Sequence, residues 1–241
     1  MIAWLEPHTP FPSVERALRR PNGLLAAGGD LSTDRLLAAY RNGIFPWFSD
    51  GEPLLWWSPD PRMVLYTGEL KVSRSLSKSM RNRGYEVRVD TAFAEVLEGC
   101  AGPRQTQPGT WLGPEMRAAY ERLHELGYAH SFETWQDGTL VGGLYGMAIG
   151  RMFYGESMFT RATDASKVAL AALAAELRER HFPMIDCQMT THHLASLGAR
   201  EIKRGEFLRA VSALVNYAVP PSRWQSTSRG ADRLNEAQCH D

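Results

Sequence analysis

The sequence predicts an α+β fold, a mixed sheet flanked by helices, preceded by a small N-terminal α/β domain. Three observations lead there. Residues 140–159 read as two apolar, Gly-punctuated strands that turn near Gly150, a hairpin. Residues 165–177 are rich in Ala and Leu, lack Gly and Pro and carry apolar residues at helical spacing, and after Pro183 the run Met184 to Met189 returns as a short strand. Strand, helix, strand within one sheet is a crossover between parallel neighbours, so hairpin and crossover together require a mixed sheet. Finally, the Pro-, Gly- and Trp-rich composition of the first sixty residues gives way near residue 61 to alternating strands and amphipathic helices. The expected domains are therefore 1–60 and 61–224.

Taken in order, Pro10, Pro12 and Pro21 keep the beginning of the chain extended and irregular. The pair Gly28-Gly29 is followed by no Gly-Lys-Ser/Thr and sits in no GxGxxG, which excludes a phosphate loop. Ser32 is placed to cap a helix over 33–42, with Asp34 near its positive end and Gly43 as its stop. Four of the seven tryptophans (Trp4, Trp47, Trp56 and Trp57) fall before residue 61. Such residues serve as core, or, beside a Pro in a tight loop, as a stacking face. Within 71–84, Arg74, Lys78 and Arg81 share one face of a helix that Gly84 ends. That face is either a solvated surface or a track for phosphates.

Further on the sequence predicts a strand over 85–89, a helix over 91–100, a polar loop over 101–110 that delivers Trp111, a helix over 115–126 and a strand over 130–135. After Gln188 a capped short helix ends in Leu197-Gly198 and leaves as a strand. Beyond Pro220-Pro221 the composition turns polar, and 225–241 is expected to be a disordered tail.

With 44% hydrophobic and 22% charged residues the chain is ordinary for a soluble domain. Twenty-seven Lys and Arg balance 27 Asp and Glu, so an anionic partner has to be met by a local patch. Three cysteines are too few for a disulfide framework and fit a reducing, cytoplasmic setting. Cys187, His192 and His193 lack a fourth ligand nearby, so no metal is expected. Nor does any apolar run approach the ~18 residues of a membrane span.

Two carboxylates, Glu156 and Asp186, stand in the otherwise apolar 140–188 unit. Strand alternation puts Asp186 and Gln188 on one face, with Ile185 and Cys187 on the other. Burying a carboxylate costs several kcal/mol unless it is paired or hydrogen-bonded, so Asp186 belongs either to a satisfied network or to a working site.

These residues carry a resemblance. The hairpin, crossover helix, short strand and Leu-Gly helix resemble the acyltransferase fold of the GCN5-related acetyltransferases. The strings 21–26, 28–32, 55–62 and 155–159, together with Gly43-Ile44-Phe45-Pro46-Trp47-Phe48 and Ile185-Asp186-Cys187-Gln188, resemble the bacterial leucyl/phenylalanyl-tRNA–protein transferases, over nearly everything from Phe11 to Trp224. The resemblance implies transfer of Leu, Phe or Met from aminoacyl-tRNA to the α-amine of a protein beginning with Arg or Lys, creating a degradation signal, by a monomer that needs no cofactor. It assigns Trp47 and Trp111 to the terminal adenosine. It assigns Leu144, Phe153, Leu170, Leu173 and Ile185 to the pocket for the donated side chain. Family members often carry Met and Phe at the positions of Leu144 and Leu173, so the size of this pocket is expected to differ. Asp186, hydrogen-bonded to Gln188, would fix it as an acceptor facing the amine and stabilise the developing positive charge, or relay the proton through water. Glu156 would anchor either the donor's amino group or the acceptor's basic side chain. Arg74, Lys78 and Arg81 would track the tRNA backbone.

An acetyl-CoA-dependent N-acetyltransferase is the rival within the fold. The turn at 160–165 has no glycine and carries Asp164, which disfavours a diphosphate there. A tRNA- or peptide-binding module without catalysis is the rival outside it, and intact Glu156, Asp186 and Gln188 argue against that.

Overall fold

The structure, a computed structural model, describes residues 2–49, 51–102, 112–224 and 229–232. The first elements are β1 (Ala3–Leu5), β2 (Leu24–Gly28), α1 (Thr33–Arg41), β3 (Phe45–Pro46) and β4 (Leu55–Trp57). The strands form a sheet of order β1-β2-β4-β3, parallel only between β1 and β2. Ser32 caps α1 as expected, its hydroxyl accepting from Arg35 N–H at 3.3 Å. Gly43 ends the helix at φ 68°, where a Cβ would lie 2.6 Å from Leu208. Conformation and close approach both demand glycine there.

The rest of the chain builds a second sheet. Its elements are β5 (Arg62–Tyr66), α2 (Arg74–Asn82), β6 (Glu86–Val89), α3 (Phe93–Ala101), α4 (Pro114–Glu125), β7 (Ala129–Gln136), β8 (Thr139–Ile149), β9 (Met152–Thr160) and α5 (Ala165–Glu179). Then come β10 (Met184–Gln188), α6 (His192–Ser196), β11 (Arg200–Ile202), α7 (Arg204–Leu214) and β12 (Arg229–Gly230). The eight strands run β11-β5-β10-β9-β8-β7-β6-β12, and among the described residues β9 with β10 is the one parallel pair of this sheet. The predicted mixed sheet, hairpin and crossover helix are thus all present.

Helices cover both faces. Leu36 of α1, Val96 of α3, Tyr120 of α4 and Phe207 of α7 pack in one core, and Leu76 of α2 with the apolar side of α5 fill the other. Helix α5 lies close to the sheet because Gly142 has no side chain; a Cβ there would lie 2.6 Å from that of Ala165.

Helix α7 occupies 204–214, a stretch for which the sequence reading assigns no element; its buried Arg204, Phe207 and Val211 stand at the i, i+3, i+7 spacing of one helical face. The expected disordered tail needs correction at 229–232. Arg229–Gly230 pairs antiparallel with Glu86 and Val87 at the sheet edge, and Ala231 is buried. A polar stretch this short is ordered by the unpaired edge of β6, a partner that composition does not reveal. Residues 225–228 and 233–241 of that stretch lie outside the described residues.

Candidate active site where two strands part

The parallel pair β9–β10 is short. It holds at Ile185↔Phe153 and Asp186↔Tyr154, after which β9 continues to Thr160 while β10 ends at Gln188. Gln188 is left-handed, at φ 60°, and the register against β5 shifts between Asp186 and Gln188. The two strands therefore separate, and Glu156 and Gln188 face each other across the gap, with Gln188 Nε2 donating to Glu156 Oε1 at 2.9 Å.

What holds Gln188 in its unusual backbone conformation is Asp186. Its Oδ1 accepts from Gln188 N–H at 2.8 Å and from Arg62 Nε at 2.8 Å, and its Oδ2 accepts from Arg62 Nη2 at 2.7 Å. Both side chains are buried, and the guanidinium lies between the rings of Phe45 and Phe207, 4.7 and 4.6 Å from their centroids. This bidentate pair uses the planar fork of arginine, and it neutralises Asp186. The bond to Gln188 thus runs to the main chain, whereas the resemblance implied a tie that would set the side chain; the amide side chain is held by Glu156. Arg62 was not singled out from sequence, although it ends one of the family strings and a buried Asp186 demands a partner.

Glu156, partly buried at the edge of the gap, is bonded on every side. Tyr40 Oη lies 2.7 Å from its Oε1, Tyr120 Oη lies 2.8 Å from its Oε2, and the two phenol oxygens are 2.7 Å apart. Burial pushes the Glu156 carboxyl up to about 7, against the opposing pull of bonds from Tyr40, Tyr120 and Gln188, and the negative Asp186 adds to the rise. Burial and then the Glu156 charge drive both phenols well above their ordinary range. Neither tyrosine was picked out beforehand. They come from α1 and α4, and no local pattern links them to β9.

On the other side of the gap lies an apolar pocket of about 110 Å³. Four of the five residues expected there line it: Leu144, Leu170, Leu173 and Ile185. The fifth, Phe153, is fully buried in the adjoining core near Trp224, so it does not line the pocket. Met158, Cys187 and Leu194 line it in addition. Burial drives the Cys187 thiol far upward, so it stands in the wall as a neutral group. A larger cavity, about 1030 Å³ between the Pro7–Val14 segment, α1 and α7, shares no lining residue with this pocket.

The remaining candidates are dispersed. Trp47 follows β3, partly exposed, its carbonyl accepting from Trp57 Nε1 at 2.6 Å. Trp111 lies outside the described residues. Arg74, Lys78 and Arg81 are exposed on α2, whose Leu76 and Met80 are buried. At the start of α5, Asp164 is left-handed and accepts from Ser79 Oγ and Lys167 Nζ, both at 2.8 Å. Among the described residues no group of three or more His, Cys, Asp or Glu could hold a metal, and no helix is long and apolar enough to cross a membrane.

A mixed sheet whose parallel pair parts over a carboxylate–amide pair and an apolar pocket can hold an apolar side chain beside two polar groups, and likeness to known proteins makes the chain an enzyme of the acyl-transferring kind. More particularly, the chain belongs to the leucyl/phenylalanyl-tRNA protein transferase family, whose profile matches residues 64–212, while that of the family's N-terminal domain matches 29–60. It is 62% identical over 228 residues to the leucyl/phenylalanyl-tRNA--protein transferase of Azoarcus sp. (strain BH72), covering 95% of this chain and 97% of that protein. The protein of the same name from Chromobacterium violaceum is 62% identical over 224 residues, covering 93% and 96%. Among solved structures, L-PGS from Bacillus licheniformis aligns at a TM-score of 0.40 and 13% identity, covering 69% of this chain and 55% of that one.

Proposed function

We propose that the protein transfers Leu, Phe or Met from the 3′-terminal ester of an aminoacyl-tRNA to the α-amine of a protein beginning with Arg or Lys. The new N-terminus is a degradation signal, and the enzyme works as a monomer in the cytoplasm without a cofactor. The observation that carries the reading is the apolar pocket opening directly beside Gln188 and Glu156. An apolar donor side chain held there brings its ester carbonyl to the one polar pair in the gap.

The ester is already activated, so holding amine and carbonyl together supplies much of the acceleration. The amine attacks the carbonyl carbon, its nitrogen sheds a proton, and the tRNA 3′-oxygen leaves with one. Gln188, a neutral amide, is too weakly basic to keep that proton and acts as an acceptor that aims the amine's lone pair. Asp186, paired with Arg62, holds the Gln188 backbone in place. Trp47, with Trp111, stacks the terminal adenine, and Arg74, Lys78 and Arg81 meet backbone phosphates. Asp164 supports a tRNA donor over acetyl-CoA, because its carboxylate, held by Ser79 and Lys167, puts a negative charge beside the α5 N-terminus where a diphosphate would rest.

The test is incubation with radiolabelled leucyl-tRNA and an Arg-initiated peptide, beside labelled acetyl-CoA with the same peptide. Leucine should appear on the peptide's α-amine and acetyl should not. Acetylation without leucylation would overturn the proposal.

A further inference from the structure

The contacts around Glu156 do not balance for a carboxylate. Tyr40 Oη, Tyr120 Oη and the Glu156 carboxyl close a ring with edges of 2.7 Å between the phenols, 2.7 Å from Tyr40 to Oε1 and 2.8 Å from Tyr120 to Oε2. Oxygens this close need a proton between each pair. The two phenols supply two protons for three edges. With Glu156 ionised, both go to the carboxylate, and the phenol oxygens meet lone pair to lone pair. A third proton on Oε2 closes the ring, with Oε2 donating to Tyr120, Tyr120 to Tyr40, and Tyr40 to Oε1.

We infer that Glu156 works as a neutral acid, and that Tyr40 and Tyr120 are positioning residues that hold its proton within the ring and thereby fix which way the Gln188 amide faces. All three ring protons are committed, so Oε1 has no hydrogen for Gln188. The 2.9 Å contact must then be donated by Gln188 Nε2. Gln188 Oε1 is left to the gap as the acceptor for the attacking amine. Were the Glu156 proton free to turn, it would bond Gln188 Oε1 and present the amide NH₂ to the amine, which an attacking lone pair cannot use.

The surroundings agree. Glu156 faces Tyr40 of α1, Tyr120 of α4, Tyr145 of β8, and Asp186 and Gln188 of β10. The charged neighbour is Asp186, which Arg62 already neutralises. Both phenols are fully buried, so water does not replace a missing partner. The upward shift of the Glu156 carboxyl points the same way.

The inference deepens the proposed reaction and rests on it only for the role of Gln188. Infrared difference spectra of the wild type against Glu156→Gln, taken below neutral pH, test the ring directly. The wild type should show the carbonyl stretch of a protonated carboxyl that the variant lacks. Leucine transfer to an Arg-initiated peptide gives the second readout. Glu156→Met should lower kcat by about 10²-fold with little change in KM, and Glu156→Gln, whose NH₂ stands in for the carboxyl O–H, should restore at least about tenfold of that loss. Tyr120→Phe opens the ring, and its kcat relative to the wild type should recover as rising pH ionises Glu156 and again calls for an N–H from Gln188. A wild type without the protonated-carboxyl band overturns the inference. So does a Glu156→Gln enzyme as impaired as Glu156→Met, which would make Glu156 a working anion. A wild type that transfers no leucine would defeat the proposed reaction instead, while the infrared result still decides the ring.

Discussion

At the scale of single residues, Asp186 and Arg62 form one unit. Asp186→Ala strands a buried guanidinium between two phenyl rings, which costs roughly 3–5 kcal/mol. It also frees Gln188 from its left-handed backbone, so transfer should fall by about 10²-fold or more. Denaturant unfolding alongside kcat measures both, and a variant as stable and as active as the parent would remove the pair from the site. Glu156 links stability to pH in the direction opposite to most carboxylates. Its folded-state pKa is raised to about 7 from an ordinary 4.5, so between those values the native state binds more protons than the unfolded one. Its contribution is therefore complete below the unfolded pKa and is lost as pH rises through the folded one, of order 3 kcal/mol in all. Wild-type unfolding midpoints should fall between about pH 5 and pH 7 relative to those of Glu156→Gln; parallel curves would contradict the shift. In the pocket, Leu173→Phe overfills a cavity of about 110 Å³. Overpacking costs ~1–3 kcal/mol, so the ratio of kcat/KM for leucyl- over phenylalanyl-tRNA should rise.

Among the elements, α2 offers the sharpest test. Its inner side is fixed by Leu76 and Met80, and Arg74, Lys78 and Arg81 project outward. In a chain of zero formal charge such a stripe is a local patch with a modest reach. Changing all three to Glu should weaken binding of every tRNA alike and flatten the dependence of affinity on salt, because each lost phosphate contact removes about 0.7–0.9 from the log–log slope. Transfer from a minimal aminoacyl-adenosine donor, which has no acceptor stem, should hardly change. Equal loss on both donors by a folded variant would leave the stripe as an ordinary solvated face.

For the whole molecule, Trp224 joins the C-terminal segment to the catalytic sheet. Its ring stacks on His130 at 4.0 Å and lies under Arg180 at 4.6 Å, while its main-chain N–H donates to Asp90 Oδ2 at 3.1 Å. Trp224→Ala should cost ~3–5 kcal/mol and loosen the core around Phe153, which a shift in thermal unfolding would register. The sequence by itself determined the mixed sheet, since period-2 and period-3.6 patterns are local and Gly150, Ser32 and Gly43 punctuate them. It determined the family through strings at 43–48, 55–62, 155–159 and 185–188, and it marked Glu156, Asp186 and Gln188 as the polar residues of an apolar unit. Only the tertiary structure decided what those residues do to one another. Arg62 reaches Asp186 across 124 positions and Tyr40 reaches Glu156 across 116. Contacts made by folding leave no periodicity in the chain. Phe153 fell in the core rather than the pocket, and Asp186 bonded a main-chain N–H rather than a side chain, because strand alternation fixes a face but not which neighbours a twisting, parting pair of strands will bring within 3 Å.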